Sequence, residues 1–301
     1  MSDAAAWCRR AFGIGGGLVL LTLTAGCPPP ARLELRDARQ ALDHVNSNLE
    51  KAEGGLYGKP ATVSFRFRDA EGHDRRFIGH PATLIFQPPR CLYLDIKHSL
   101  GGSVARIGSN DQRYWIWVDT PELRKLWWGY WDEVDASAGE GLPIPPSLLL
   151  DALMMRPLAE RVPGGLPALL IDENPYRLLF QRFDRHGWPY LAREIVLDQR
   201  PPYQPVEIID RLPDGRVLMH ATLKGYRPVE KTGQSGPHTA RRWVVHWPLD
   251  DTEMRLDLDR VRYRTKDTPF CEFPEHWNGE IEQIGALPSA EFSPPAQERT
   301  P

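Results

Sequence analysis

Five stretches of this chain alternate apolar and polar residues with a period of two. Val63, Phe65 and Phe67 alternate with Ser64, Arg66 and Arg68. Leu92, Leu94 and Ile96 alternate with Tyr93, Asp95 and Lys97, and Val217, Met219, Ala221 and Leu223 with His220, Thr222 and Lys224. Trp243, Val245 and Trp247, then Met254, Leu256 and Leu258, repeat the pattern. Successive side chains of a strand point to opposite faces, so each run reads as a strand with one apolar face. The last run slips phase, because Val261 and Tyr263 have the opposite parity, and a β-bulge near Asp259–Arg260 accounts for the slip. Turn signals at Ala70-Glu71-Gly72, Ser109-Asn110-Asp111, Arg185-His186-Gly187 and Pro213-Asp214-Gly215 separate the runs. Connections this short favour antiparallel pairing, and no βαβ rhythm is present. The reading is a mainly β (α+β) chain with about ten or eleven strands.

Two segments carry a helical pattern instead. Over residues 33–52, Leu35, Ala38, Leu42, Val45 and Leu49 fall on one stripe, charged residues fill the other face, and Gly54-Gly55 supplies a stop. The segment Gly141–Leu158 predicts a short helix starting near Pro146 and ending before Pro157. Leu148, Leu149, Leu150, Leu153, Met154 and Met155 leave it almost no polar face, so it must be buried or must cover something apolar.

The N-terminus reads as an address. Arg9 and Arg10 precede an apolar run from about Ala11 to Leu23, which ends in Leu23-Thr24-Ala25-Gly26-Cys27 and three prolines. The run is short and glycine-rich for a membrane span. Leu23–Cys27 resembles the bacterial lipobox, which implies signal cleavage between Gly26 and Cys27, lipidation of Cys27, and tethering to a membrane outside the cytoplasm. An ordinary signal peptide with a chance cysteine is the other reading. "RRAFGI" resembles the twin-arginine export signal only at Arg9, Arg10 and Phe12. Pro28 is not an acidic retention signal, which favours the periplasmic face of the outer membrane. The expected division is a signal peptide at 1–26, a proline-rich tether at 27–32, a β domain at 33–285 and a disordered tail at 286–301.

Charge and cysteines bound the rest. The net charge is −3, and −4 without residues 1–26, so no basic excess points to nucleic acid. Of the four cysteines, Cys8 leaves with the signal and Cys27 is the lipidation site, leaving Cys91 and Cys271. In an oxidising compartment these two can pair; two buried thiols are the alternative.

Taken together, the N-terminal amphipathic helix, the long antiparallel meander and "SNDQRYWIWVDTPEL" (Ser109–Leu123) resemble the LolA/LolB family of bacterial lipoprotein carriers. In that family a turn leads into a Trp-x-Tyr/Trp strand and then a proline, matched here by Asp111, Trp115, Trp117 and Pro121. The apolar helix of 143–156 sits where the family places its lid elements. "RFDRHGWPYLAREIVLDQRPPYQPVEIID" matches a later hairpin. The long polar loop at 228–240 and the segment 268–285 depart from the pattern. The resemblance implies an unclosed β-barrel whose apolar concave face, covered by helices, takes acyl chains of a lipid or lipoprotein, with no cofactor.

Candidate lining residues are Phe65, Phe67, Leu92, Leu94, Ile96, Leu178 and Phe180, with Leu149, Leu153 and Met154 on the lid. The bland reading is that they fill a solid core, which would make the chain a sensor or interaction module for an envelope protein or glycan. Trp127, Trp128 and Trp131 stand beside Arg124 and Lys125, a composition suited to a bilayer headgroup zone, to an aromatic core corner, or to a sugar platform. Catalysis finds no support: G-x-S-x-G, H-E-x-x-H, Walker A and C-x-x-C are all absent, and the histidines lack metal-ligand spacing. Asp257 and Asp259 share a strand face, as strands often do with water-facing carboxylates. His44 falls on the exposed side of the first helix.

Overall fold

The computed structural model describes residues 35–68, 74–121, 123–131, 146–158, 167–171, 176–233, 235–264, 270–275, 277 and 279–284. The cleavage site at Gly26 and Cys27, the tether and the tail lie outside them, as do 132–145 and 172–175. Residues Arg32–Pro301 form one compact unit.

The chain enters through helix α1 (Ala38–Glu50). Its start is set by Asp37, whose side chain accepts a hydrogen bond from the Gln40 backbone N–H at 2.9 Å. This N-cap satisfies an otherwise orphaned donor and places the helix start later than the stripe alone suggests. Ala38, Ala41, Leu42 and Val45 are buried along one face.

Six strands follow: β1 (Leu56–Arg68), β2 (Asp74–Gln87), β3 (Cys91–Lys97), β4 (Ser103–Ser109), β5 (Arg113–Asp119) and β6 (Arg124–Tyr130). Helix α2 (Pro146–Ala152) precedes β7 (Ala168–Ile171), β8 (Tyr176–Phe183), β9 (Pro189–Leu197), β10 (Pro205–Arg211) and β11 (Val217–Lys224). A two-stranded ribbon, β12 (Arg227–Pro228) and β13 (His238–Thr239), occupies the long polar loop. The main sheet resumes with β14 (Arg242–Trp247), β15 (Thr252–Leu258), β16 (Val261–Tyr263) and β17 (Glu280–Gln283).

One 15-stranded sheet holds all but the ribbon, in the order β17-β6-β5-β4-β3-β2-β1-β15-β14-β11-β10-β9-β8-β7, with β16 also on β1. Its pairings are antiparallel except for β17 on β6. The terminal strands β7 and β17 do not pair, so the sheet is unclosed, the architecture that the resemblance implies. The count exceeds the ten or eleven strands expected, in part because β7, β16 and β17, of four, three and four residues, are too short to show alternation.

The phase slip after Leu258 has a local cause. Ala61–Arg66 of β1 pair with β15, while Leu56–Gly58 pair with β16. Between them Lys59 donates to the Arg260 carbonyl and Asp259 to the Pro60 carbonyl. Both strands shift register there, which returns Val261 to the buried face.

The inner face of the curled sheet, α1 and α2 share one apolar core. The outer face of β3–β6 carries a second, aromatic layer. The segment after Cys271 lies across it, joined to the start of β3 by a Cys91–Cys271 disulfide with a Cα–Cα distance of 5.7 Å. Phe273 sits edge-on between Trp115 and Trp128, at 5.7 and 5.5 Å, and Trp277 meets Trp117 at 5.2 Å. The Arg113 guanidinium lies 5.2 Å from the Phe273 ring and 5.3 Å from both Trp128 and Tyr130. Such cation–π contacts hold aromatic groups together when desolvated. The strap ends as β17, where Lys125 is bound by Glu280 at 2.8 Å and Glu282 at 2.7 Å. It thereby covers the edge of β6, which would otherwise present unpaired backbone groups.

Gly108 makes this layer possible, since a Cβ there would run into the Trp115 indole. Gly108→Ala is expected to cost about 1–3 kcal/mol through overpacking, because Trp115 is buried. Chemical denaturation reads the loss, and an unchanged midpoint would mean the strap yields without cost.

Candidate functional site

The candidate site is the layer between the inner sheet face and the two helices. Leu92, Leu94, Ile96, Leu149, Leu153, Leu178 and Phe180 meet in the shared core and are all buried. Phe65 and Met154 are partly buried against it. Phe67 does not join them; it stacks on Phe77 at 6.0 Å, toward the β1–β2 turn. The bulge between Val63 and Phe65 on that hairpin separates the end of β1 from the core layer.

These residues do not surround an open cavity. A space of about 40 Å³ remains under α1, lined by Val45, Leu49, Leu153, Met154, Tyr226 and Trp243 among others. Small-molecule pockets run to about 300–1,000 Å³, so this one holds a few waters and no acyl chain. Of the ten lining candidates only Leu153 and Met154 border it. The apolar side chains of α2 occupy the volume that the sequence assigned to a ligand.

How α2 is held is the informative part. Leu149, Leu150 and Leu153 are buried, and the helix closes with Met154 in the left-handed region, φ 55°. Asp151 is the single charge on this helix and turns inward. It binds Arg156 at 2.6 Å and also Arg193 of β9. Arg193 is in turn bound by both oxygens of Asp210 on β10. Burial opposes the ionised form of Asp151, but the Arg193 charge and the Arg156 hydrogen bond outweigh it and hold the carboxyl below the ordinary carboxylate range. Burial likewise opposes the Arg193 cation, and the charges of Asp151 and Asp210 overcome it, raising the guanidinium further. A buried ion cluster thus clamps a seven-residue apolar helix onto the inner face.

The segment after α2 is tied to α1. The Asn46 side chain donates to the Leu158 carbonyl at 3.0 Å and accepts from its N–H at 2.8 Å. Asn48 makes the same pair of bonds to His238 of the β12–β13 ribbon, at 2.9 and 2.7 Å. His44 is half-buried rather than solvated and donates to the Pro202 carbonyl at 3.2 Å. The 228–240 loop that departs from the family pattern is therefore a wall of the small cavity.

The sequence reading missed the clamp, although a signal was there. Arg193 shares its parity with Ile195 and Leu197, and Asp210 shares its parity with Ile208, so both are charges on an apolar face. The three tryptophan candidates do not share one environment. Trp131 is 2 % exposed and donates to the Asn110 carbonyl at 2.7 Å, and Trp128 lies under Phe273. Trp127 packs on the inner core with the Lys125 ammonium 5.3 Å from its ring. Trp127 and Trp128 thus stay half-buried, one against the core and one against the strap, while Trp131 is closed off from the surface. Asp257 is held between Arg242 and Arg255, at 2.5 and 2.6 Å. Among the described residues no group of three or more His, Cys, Asp or Glu is placed to hold a metal ion, and no helix is long and apolar enough to cross a membrane.

No protein-family model and no curated protein matches the chain. Among solved structures it is similar to a domain from Vibrio parahaemolyticus described as an outer membrane lipoprotein-sorting protein. Identity is 12 %, coverage 77 % of this chain and 95 % of that one, and the TM-score 0.48. A DUF1329 family protein from Desulfovibrio piger aligns at 10 % identity over 78 % and 96 % of the two chains, TM-score 0.46. A LolA superfamily protein from Nitrosomonas europaea aligns at 14 % identity over 76 % and 97 %, TM-score 0.39.

Proposed function

We propose that this chain is a lipid-anchored envelope protein that takes acyl chains of a lipid or lipoprotein between its inner sheet face and α2, acting as a carrier or receptor rather than an enzyme. Lipidation at Cys27 places it at a membrane, with the periplasmic face of the outer membrane favoured. The observation that carries the reading is α2 itself. A helix too short to be stable alone inserts Leu149, Leu150 and Leu153 into the sheet and is fastened by one charge, Asp151. Displacing it would uncover the apolar face of β9 and β11, lined by Ile195, Met219 and Ala221. An acyl chain would replace the helix's own leucines there, with a driving force of about 25 cal/mol per Å² removed from water.

Native mass spectrometry of residues 31–301, followed by organic extraction, tests this. A co-purifying lipid at near-unit stoichiometry is the expected result, and its mass identifies the cargo class. Leu153→Asp is expected to abolish uptake while leaving the β-sheet circular dichroism intact. A clean protein mass with no uptake of added fatty acid or lipopeptide would instead favour a second reading. The nearly filled core supports that one: an envelope interaction module that recognises a protein or a glycan.

A further inference from the structure

Exposed apolar side chains are not spread evenly over this protein. The strand registers place the β1–β2, β3–β4, β8–β9 and β14–β15 connections at one end of the sheet. At that end stand Phe77, Ile78, Leu100, Phe183, Trp188 and Leu249, all exposed, with Ile78 77 %, Trp188 72 % and Phe183 54 % accessible. The opposite end is closed by α1 through His44, Asn48 and the Lys51 carbonyl, which accepts from the Tyr263 hydroxyl at 2.6 Å.

The β8–β9 tip, Arg182–Trp188, is the most informative part of this rim. Asp184 accepts from the backbone N–H groups of His186 and Trp188, both at 2.8 Å, so its carboxylate is committed to the turn. Arg182 and Arg185 form no ion pair among the described residues, so the tip presents cations beside two exposed aromatic rings. The apolar residues are divided among four separate connections, with a bulge carrying Ile78 outward. Separate apolar wedges, a tryptophan and flanking arginines match a lipid surface with anionic headgroups: rings enter the interfacial zone and guanidinium groups meet phosphates.

We infer that this end of the sheet docks on an anionic bilayer, with Phe183 and Trp188 entering the interface and Arg182 and Arg185 contacting headgroup phosphates. The inference rests on the membrane-anchored reading above and adds a surface that faces the bilayer.

Vesicle co-sedimentation of residues 31–301, which contain the compact unit but not Cys27, provides the test. The chain is expected to sediment with vesicles of equal parts phosphatidylcholine and phosphatidylglycerol, and less with phosphatidylcholine alone. Phe183→Ser with Trp188→Ser should lower the partition coefficient by about tenfold or more, since binding scales with buried apolar area. Arg182→Glu with Arg185→Glu should erase the preference for phosphatidylglycerol. Wild-type chain that ignores both vesicles, or a Phe183/Trp188 variant that sediments like wild type, overturns the proposal. So does a wild-type chain that ignores vesicles but self-associates through these residues. Acyl uptake by the Phe183/Trp188 variant, read by mass spectrometry, is expected to be unchanged, so the docking surface and the acyl site can fail independently.

Discussion

Asp151→Ala is expected to release α2 from the sheet. The substitution leaves Arg193 and Arg156 without the carboxylate that both bind, and the Asp151 side chain is only 10 % exposed. Removing one partner of a buried ion cluster costs about 3–5 kcal/mol, because the remaining charge stays desolvated. If α2 is a movable cover, that cost appears locally. Residues 146–158 become protease-sensitive and exchange amide protons quickly, an apolar dye binds, and acyl uptake speeds up, while the sheet melts as before. A uniform fall in global stability with no gain in uptake would make α2 a fixed part of the core. Replacing Asp151, Arg156, Arg193 and Asp210 together by Leu, Met, Met and Leu is expected to keep the helix docked, since an apolar set of similar volume removes the desolvation penalty. The same clamp sets a pH dependence. The native carboxyl of Asp151 is depressed, so its contribution is complete above the unfolded value of about 4 and is lost as pH falls through the lower native value. Opening of α2 is thus expected in acid and not between pH 6 and 8, a range about two to four units above the unfolded value.

Removing the Cys91–Cys271 disulfide is expected to have the second large effect. The bridge spans 180 residues, and closing a loop of that length restricts the unfolded chain by about 5 kcal/mol in the chain-entropy picture. Cys91→Ser with Cys271→Ser should lower the denaturation midpoint accordingly and loosen the strap, which Phe273, Trp277, β17 and the Asn110 hydrogen bond to the residue 271 carbonyl still hold. Reductant on the wild-type chain should reproduce the shift. A midpoint insensitive to reductant would mean that the aromatic contacts alone retain the strap.

Much of the sheet was legible because its signal is local. Residues such as Met219, Ala221 and Leu223, or Trp243, Val245 and Trp247, declare their buried face by parity, and their neighbours in sequence are their neighbours on the strand. The amphipathic stripe of α1 and the largely apolar α2 were readable for the same reason. The candidate site was legible only in part. Leu149 and Leu153 belong to the lid layer as read, yet whether they cover a space or fill it depends on how far α2 sinks toward β9 and β11.

From the sequence alone came the mainly β class, the two helices and the parity of the core strands, because backbone sterics and hydrophobic periodicity act over a few residues. Cys91 and Cys271 were known as candidates to meet, not as a bridge. Tertiary structure alone decided the rest. It left a space of about 40 Å³ under α1, brought Asp151, Arg193 and Asp210 from three separate elements into one clamp, and buried Trp131. It also left Phe183 and Trp188 in water. Each of those outcomes depends on contacts between residues distant in sequence, and the energy of a buried charge or ring depends on what surrounds it in space.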